Sequence, residues 1–275
     1  MTEPTPSSDR PPTLQGEQAL LLNSQAGSPD RQPLLHVTGL SKRFGGLQAV
    51  RDLSFSVGER EIVALIGPNG AGKTTAFALL SGFLAPDSGR VVFRGRDLRG
   101  LPPHEVNALG IARTFQIMRP FPRLSVLRNV MVATLGRHPD PAVAGARARA
   151  VLEELGLAAK ADLPAGGLTL AERKRLELAR ALGTEPTLLL LDEVMSGLTD
   201  AETAHIVTLV RAINRRGIAI LLIEHVMRAV MSLAERIVVL NYGERIAEGR
   251  PEAVARDPKV IEAYLGDEAV TSAPA

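Results

Sequence analysis

The chain has 275 residues, of which 45% are hydrophobic and 23% are charged, so it is long enough to bury a substantial hydrophobic core. Its 32 lysine and arginine residues nearly balance its 30 aspartate and glutamate residues, which argues against a dedicated nucleic-acid-binding protein. Because the sequence contains no cysteine, it excludes disulfides, iron-sulfur clusters and thiol nucleophiles.

The apolar stretches are too short to span a membrane. One of the longest, 218–223, falls well short of the roughly 20 residues that a spanning helix needs. The start of the chain also lacks the features of a secretory signal, because its apolar run 19–22 is short and is preceded by the acidic Glu3 and Asp9. We therefore expect a cytosolic protein.

The first 33 residues differ in composition from the rest. They hold many prolines among Ser, Thr, Gln and Gly, with too little apolar surface to offset the entropy of ordering. The sequence predicts a disordered tail over 1–33, a folded domain over 34–267 and a flexible C-terminus over 268–275.

The folded domain begins with short runs typical of strands. The runs 35–37 and 53–57 predict a small antiparallel β lobe. Further along, 188–191, 218–223 and 237–240 are uniformly apolar, as in strands buried on both faces of a parallel sheet with helical crossovers. The predicted fold class is therefore α/β, with a mainly parallel sheet.

Helical patterns dominate residues 122–183, where no convincing strand occurs, so we predict a helical subdomain inserted in the α/β core. One helix in it covers Pro141–Leu155, with Asp140 as its N-cap. Beyond it, Asp200 is predicted to cap a helix that ends at Gly217.

A phosphate-binding loop follows the predicted strand 62–66 and leads into the apolar helix 76–80, which is the context that such a loop requires. Glycines allow backbone N–H groups to surround a polyphosphate, Lys73 would reach its outer phosphates, and the Thr74 hydroxyl can bind Mg²⁺. The alternative is a glycine-rich turn without a ligand. The loop residues are Gly67, Pro68, Asn69, Gly70, Ala71, Gly72, Lys73, Thr74 and Thr75.

Two acids, Asp192 and Glu193, directly follow the buried run 188–191, and successive side chains there point to opposite sides. Asp192 would hold Mg²⁺ through its water shell. Glu193 would polarise the water that attacks the γ-phosphorus, a role typically contributing about 10² to 10⁴ in rate. A solvated Asp-Glu turn is the alternative.

Two further polar residues fit the same site. His225 follows the strand 218–223, so we expect it at the same sheet edge, as a γ-phosphate contact or as a structural histidine. Gln116 lies between Phe115 and the proline-containing stretch 117–124. Its side chain could meet Mg²⁺ or the attacking water, or it could be a surface amide.

In chain order, the phosphate loop, Gln116, the acid pair and His225 resemble the motifs of the ATPase subunit of ABC transporters. The resemblance covers roughly residues 35–266. It implies ATP and Mg²⁺ as cofactors, catalytic roles for Lys73, Gln116, Glu193 and His225, and a nucleotide held between two ATPase subunits. It also places Phe44 against adenine, the alternative being a core phenylalanine that ends a strand.

Three further segments resemble the ATPases of branched-chain amino-acid importers: 110–116, 119–122 and 260–266. Such importers usually have two different ATPase subunits, so a heterodimer is implied more than a homodimer. Transmembrane permease subunits, an external substrate-binding protein and a location on the inner face of the membrane are implied as well, without nucleic acid. Met118 and Phe121 could receive a helix of the permease, although core packing of Phe121 is an equal alternative.

The signature segment of this family is usually Leu-Ser-Gly-Gly-Gln, but here both glycines are replaced. Side chains then occupy positions where the backbone should approach phosphate closely. We expect this segment to contact the nucleotide of the opposite subunit only weakly, whereas the site built on Lys73 and Glu193 of this chain can still hydrolyse ATP. The pattern is also a capping box, which closes a helix start without any ligand. The segment reads Leu168, Thr169, Leu170, Ala171 and Glu172.

Other assignments compete with this one. The chain could serve a urea or amide importer, or a lipopolysaccharide exporter. It could be a soluble ABC ATPase outside transport, although those usually carry two ATPase halves or long inserts. A GTPase is disfavoured because no Asn-Lys-x-Asp segment for guanine recognition occurs.

Overall fold

The computed structural model describes residues 33–115 and 120–271, and of 265–271 only the backbone. Nearly all of the predicted N-terminal tail and the predicted ligand Gln116 therefore lie outside the described residues. The C-terminal helix extends to Thr271, four residues beyond the predicted domain end at 267, and 272–275 are not described.

Four antiparallel strands form the first sheet, in the order β2-β1-β4-β5. The predicted β lobe is present, but its first two strands are much longer than 35–37 and 53–57 because their outer halves carry exposed polar residues that hide the strand pattern. The strands are β1 (Leu35–Phe44), β2 (Leu47–Val57), β4 (Ser88–Phe93) and β5 (Arg96–Asp97).

Six strands form the second sheet, in the order β10-β9-β3-β8-β7-β6, and all of its pairings except β9 with β10 are parallel. Every residue of β3, β7 and β8 is buried, as the apolar runs predict, and the predicted α/β fold class is confirmed. The strands are β3 (Ile62–Ile66), β6 (Ile111–Arg113), β7 (Leu188–Asp192), β8 (Ala219–Ile223), β9 (Arg236–Asn241) and β10 (Glu244–Gly249).

Helices connect and cover these strands. Within 122–183 the described structure consists of helices α3 to α5, two short 3₁₀ segments and one isolated bridge, without a strand. The helices are α1 (Lys73–Leu80), α2 (Pro103–Ala108), α3 (Val126–Leu135), α4 (Pro141–Glu154), α5 (Leu170–Leu182), α6 (Asp200–Arg215), α7 (Met227–Leu233), α8 (Pro251–Val254) and α9 (Pro258–Thr271).

The caps of two helices test the sequence patterns. Asp140 caps α4 as predicted, because its carboxylate accepts a hydrogen bond from the Ala142 N–H at 2.8 Å. The prediction for α6 is wrong by one residue: Thr199 is the N-cap, since its hydroxyl accepts from the N–H of Glu202, and Asp200 begins the helix. A threonine followed three residues later by glutamate forms a complete capping box here.

Alternate side chains of the parallel strands enter two hydrophobic clusters. In β7, Leu189 and Leu191 join the cluster that contains the helices α3 to α5, whereas Leu188 and Leu190 join the cluster that contains the antiparallel sheet. The sheet is thus covered on both faces, which fixes its strand ends as the exposed edge where a ligand can bind. In the two described ranges, no helix has the length and apolarity needed to cross a bilayer.

Candidate nucleotide-binding site

Three segments meet at the carboxyl edge of the parallel sheet, because β3, β8 and β7 are neighbours in it. The phosphate loop follows β3, the acid pair ends β7, and His225 follows β8. They enclose one cavity of about 650 Å³. The predicted site residues that line it are Phe44, Asn69, Gly70, Ala71, Gly72, Lys73, Thr74, Thr75, Glu193 and His225.

Two glycines of the loop are required by close packing as well as by backbone conformation. Gly67 has φ 150° and Gly72 has φ 99°, values that favour glycine. A Cβ atom on Gly67 would lie 2.1 Å from the Leu240 carbonyl oxygen, and one on Gly72 would lie 2.2 Å from that of Ala49. The loop is therefore pressed against the β9 end and β2, which holds its shape before any ligand binds.

The Lys73 ammonium lies inside the curve of the loop. It is 6% exposed and donates hydrogen bonds to the carbonyl oxygens of Gly67 at 2.7 Å and Pro68 at 2.8 Å. The Pro68 carbonyl therefore helps to hold the Lys73 ammonium, although Pro68 does not line the cavity. The geometry keeps one cation at the place where a polyphosphate would meet the loop.

Helix α1 begins at this lysine, and its N-cap is Gly72, which has no side chain to bond the first N–H groups. The first-turn N–H groups of a helix have no partners within the helix, so they are available to an anion. Thr74 and Thr75 belong to this turn and line the cavity, with Thr74 exposed. The turn can thus offer N–H groups and a hydroxyl to a phosphate.

Asp192 is 1% exposed and lies behind the cavity wall. Its Oδ2 accepts a hydrogen bond from the Arg113 guanidinium at 2.9 Å, whereas its Oδ1 is buried without a hydrogen-bond partner among the described residues. Burial raises the pKa of this carboxyl, and the bond from Arg113 opposes the change. One carboxylate oxygen therefore remains available for a further ligand.

Glu193 and His225 form a pair at the cavity. The Glu193 Oε1 and the His225 Nε2 are 3.1 Å apart, and the exposed fractions of the two side chains are 14% and 43%. Glu193 has φ 50°, an unusual value for a residue other than glycine. The pair presents a carboxylate and an imidazole to the same space as the loop.

A phenylalanine and a tyrosine line the cavity. Phe44 is 45% exposed, so it is not a core phenylalanine, and the Lys42 ammonium lies 5.7 Å from the centre of its ring. Tyr242, in the turn between β9 and β10, is 84% exposed and lines the cavity as well. Either ring offers an apolar face to a base.

The predicted signature residues lie apart from this cavity, at the start of α5. The Thr169 hydroxyl accepts from the Glu172 N–H at 3.3 Å, and the Glu172 carboxylate accepts from the Thr169 N–H at 3.0 Å. Lys160 pairs with Glu172 and, with the Thr169 N–H, lowers the pKa of that carboxyl. Within this chain the segment, with Leu170 exposed and Ala171 half-buried, is a closed helix start.

Sequence reasoning assigned no role to four residues that contact the acid pair or the turn that follows it. Arg113 bonds Asp192, and the Thr114 hydroxyl accepts from the Asp192 N–H at 3.0 Å. Lys174 and Glu224 are both buried and bond the backbone that follows Asp192. For the charged residues among them, the sequence signal is a charge placed among apolar residues of a helix or at the end of a strand.

Two family models match the chain. One described as ABC transporter matches residues 50–196, and one described as branched-chain amino acid ATP-binding cassette transporter matches residues 244–270. The chain belongs to the ABC transporter family. The matched range 50–196 includes the phosphate loop and the acid pair. Membership of this family implies that the chain binds a nucleotide.

Relatives extend the match over the whole folded domain of this ABC ATPase. The high-affinity branched-chain amino acid transport ATP-binding protein LivG of Salmonella typhimurium is 43% identical over 252 residues, covering 86% of this chain and 99% of that protein. The lipopolysaccharide export system ATP-binding protein LptB of Acidithiobacillus ferridurans is 35% identical, covering 86% and 98%. The crystal structure of the ADP conformation of MJ1267, an ATP-binding cassette of an ABC transporter, superposes with a TM-score of 0.79 at 32% identity, covering 86% of this chain and all of that one.

Proposed function

We propose that this chain is the ATP-hydrolysing subunit of an importer for branched-chain amino acids and drives transport through separate membrane subunits. The observation that carries the hydrolytic part is the single cavity in which the phosphate loop faces the Glu193–His225 pair. The cargo is supported by the match of residues 244–270 to the branched-chain amino acid model and by the similarity to LivG.

The phosphate loop binds the triphosphate. The first-turn N–H groups of α1 and the backbone of the loop surround its oxygens, and Lys73 adds a positive charge at the outer phosphates. Phe44 stacks on the adenine, for which its exposed ring at the cavity wall is suited.

The polar residues fit a magnesium ion. The Asp192 Oδ1 has no hydrogen-bond partner in the described part of the chain, and the exposed Thr74 hydroxyl belongs to the same site. Gln116, outside the described residues, is a third predicted ligand. Mg²⁺ is usually held by one or two carboxylates together with substrate phosphates and water, which suits this set of residues. When bound, Mg²⁺ neutralises the charge that develops on the phosphate oxygens.

Glu193 prepares the attacking water. Its carboxylate accepts a hydrogen bond from the water and orients it in line with the γ-phosphorus. The water oxygen forms a bond to this phosphorus as the bond between the phosphorus and the ADP oxygen breaks, and Glu193 takes up the proton that the water loses. His225 lies within hydrogen-bond distance of this carboxylate, so it fixes the direction of the Glu193 side chain. Because His225 also lines the cavity, it meets the γ-phosphate.

The family assignment supports permease partners, and we propose a fuller assembly around this chain. A second, different ATPase subunit completes each nucleotide site; permease subunits span the membrane; an external binding protein delivers the cargo. The chain then works on the cytoplasmic side, held peripherally at the inner face of the membrane. The similarity to LptB keeps lipopolysaccharide export as a second candidate, favoured by that 35% identity alone.

Two measurements test the proposal on the chain copurified with its membrane and ATPase partners. Glu193→Gln should bind ATP with wild-type affinity but lose turnover by about 10² or more, whereas Lys73→Ala should lose affinity. Uptake of labelled leucine, isoleucine and valine in a deletion strain should return with the wild-type chain and not with Glu193→Gln. Normal uptake of these amino acids by the deletion strain itself would contradict the proposed cargo. ATP turnover by Glu193→Gln at the wild-type rate would contradict the hydrolytic role of Glu193.

A further inference from the structure

Two buried charged side chains, Lys174 and Glu224, contact the backbone that carries Glu193. Lys174 is 5% exposed and Glu224 is 1% exposed, and neither lines the nucleotide cavity. Burying a charge is costly unless its bonds are well formed, and ATP binding gives no reason for these two. Their placement therefore needs an explanation within the fold.

The two side chains bond opposite ends of one turn. The Lys174 ammonium donates to the Glu193 carbonyl oxygen at 2.6 Å, and the Glu224 Oε1 accepts from the Met195 N–H at 2.8 Å. The Glu193 N–H also donates to the Ile223 carbonyl oxygen at 3.0 Å. The turn 193–195 is thus fixed at three backbone positions, two of them by ionisable side chains.

This turn has a conformation that must be imposed on it. A residue with a Cβ in the left-handed region costs roughly 1–2 kcal/mol, and Glu193 is such a residue with φ 50°. The backbone at Glu193 sets the direction of the carboxylate that lies 3.1 Å from His225. A displacement of about 1 Å at a reacting group can cost about 10²-fold in rate.

We propose that Lys174 and Glu224 are positioning residues that hold Glu193 in its hydrolytic orientation, an inference that rests on the proposed ATPase function. Glu224 and His225 are adjacent residues after β8. His225 contacts the Glu193 side chain, and Glu224 bonds the backbone of the turn 193–195. Lys174 lies on α5, the helix whose N-cap is Thr169. The signature segment and the catalytic carboxylate of the same chain are therefore joined through one helix turn and one ammonium group.

Four variants in the assembled transporter separate the bonds from the bulk of the side chains. Lys174→Met and Glu224→Leu remove the contacts, whereas Lys174→Arg keeps the donor and Glu224→Gln keeps the acceptor. We expect the first pair to lower kcat by about 10- to 100-fold with the Kd for ATP changed less than about twofold, and the second pair to recover most of kcat. The matched control is Glu177→Gln, a buried acid on the same helix that pairs with Arg180 and should leave kcat unchanged.

A second measurement keeps the test decisive if a variant is unstable. In a Glu193→Gln background, Lys174→Met should lower the residual turnover no further, because a residue that acts through Glu193 has nothing left to position. A kcat equal to wild type in folded Lys174→Met, or the same fold-loss with and without Glu193, would overturn the inference. A wild-type assembly that binds no ATP would instead contradict the proposed function itself.

Discussion

The buried carboxyl of Glu224 should make the stability of the fold depend on pH. Burial raises the pKa of Glu224 from 4.5 to about 7, an effect that outweighs the opposing bonds from the Met195 and His225 N–H groups and the charge of Lys174; the charge of Glu193 raises it further. Between these values the folded state binds a proton that the unfolded state releases. The stability contributed by this proton is present below about pH 4.5 and is lost as the pH rises through about 7.

Glu224→Gln removes the proton equilibrium while keeping an oxygen for the Met195 N–H. A shift from 4.5 to about 7 corresponds to about 3 kcal/mol, so the unfolding free energy of the variant minus that of wild type should rise by about that amount from pH 4.5 to 8. Since the chain has no tryptophan, urea unfolding of the full-length protein is best followed by circular dichroism.

The matched control is Glu153→Gln, which makes the same change on an exposed helical glutamate and corrects for the loss of one carboxylate. The difference between the two variants isolates the buried site. If the Glu224→Gln difference stayed constant across this pH range, the carboxyl would be charged throughout and the reasoning from burial would be refuted.

Three other predictions concern the nucleotide site. Gly72→Ala should destroy ATP binding, because its Cβ would lie 2.2 Å from the Ala49 carbonyl oxygen. A Cβ on Gly70 meets no atom within 4 Å, so Gly70→Ala should bind ATP more tightly than Gly72→Ala when both are measured by calorimetry. Phe44→Ala should weaken ATP binding by about 1–3 kcal/mol without changing competition by inorganic tripolyphosphate. Arg113→Met should cost about 3–5 kcal/mol in chemical unfolding by leaving Asp192 without its cation, and adding Asp192→Asn should recover part of the loss.

The sheet and the phosphate loop were predictable because their signals are local. Strands β3, β7 and β8 are apolar at every position except for the final Asp192, and loop glycines stand next to a lysine and a threonine. Strand β6 has only three residues, and β10 is an edge strand with exposed Glu244 and Arg245, so neither shows a pattern.

The contacts around the acid pair were not predictable because they depend on strand order. Arg113 reaches Asp192 across 79 positions in sequence, and it does so because β6 pairs with β7 in parallel. Lys174 meets the Glu193 carbonyl because buried residues of α5 and of β7 share one hydrophobic cluster. Periodicity identifies a strand, but it does not say which strand lies beside it, so partners of this kind appear only in the folded structure.

The polar groups of the predicted signature segment are already bonded within the fold of this chain. In the capping box the N–H groups of Thr169 and Glu172 are both bonded within the chain, and the Glu172 carboxylate is also paired with Lys160. A phosphate of the opposite nucleotide would therefore have to compete with an ion pair and two hydrogen bonds, at a position where Leu170 and Ala171 add side chains. If the two ATPase subunits differ, the site that depends on this segment is the weaker one, and the site built on Lys73 and Glu193 carries the larger share of turnover.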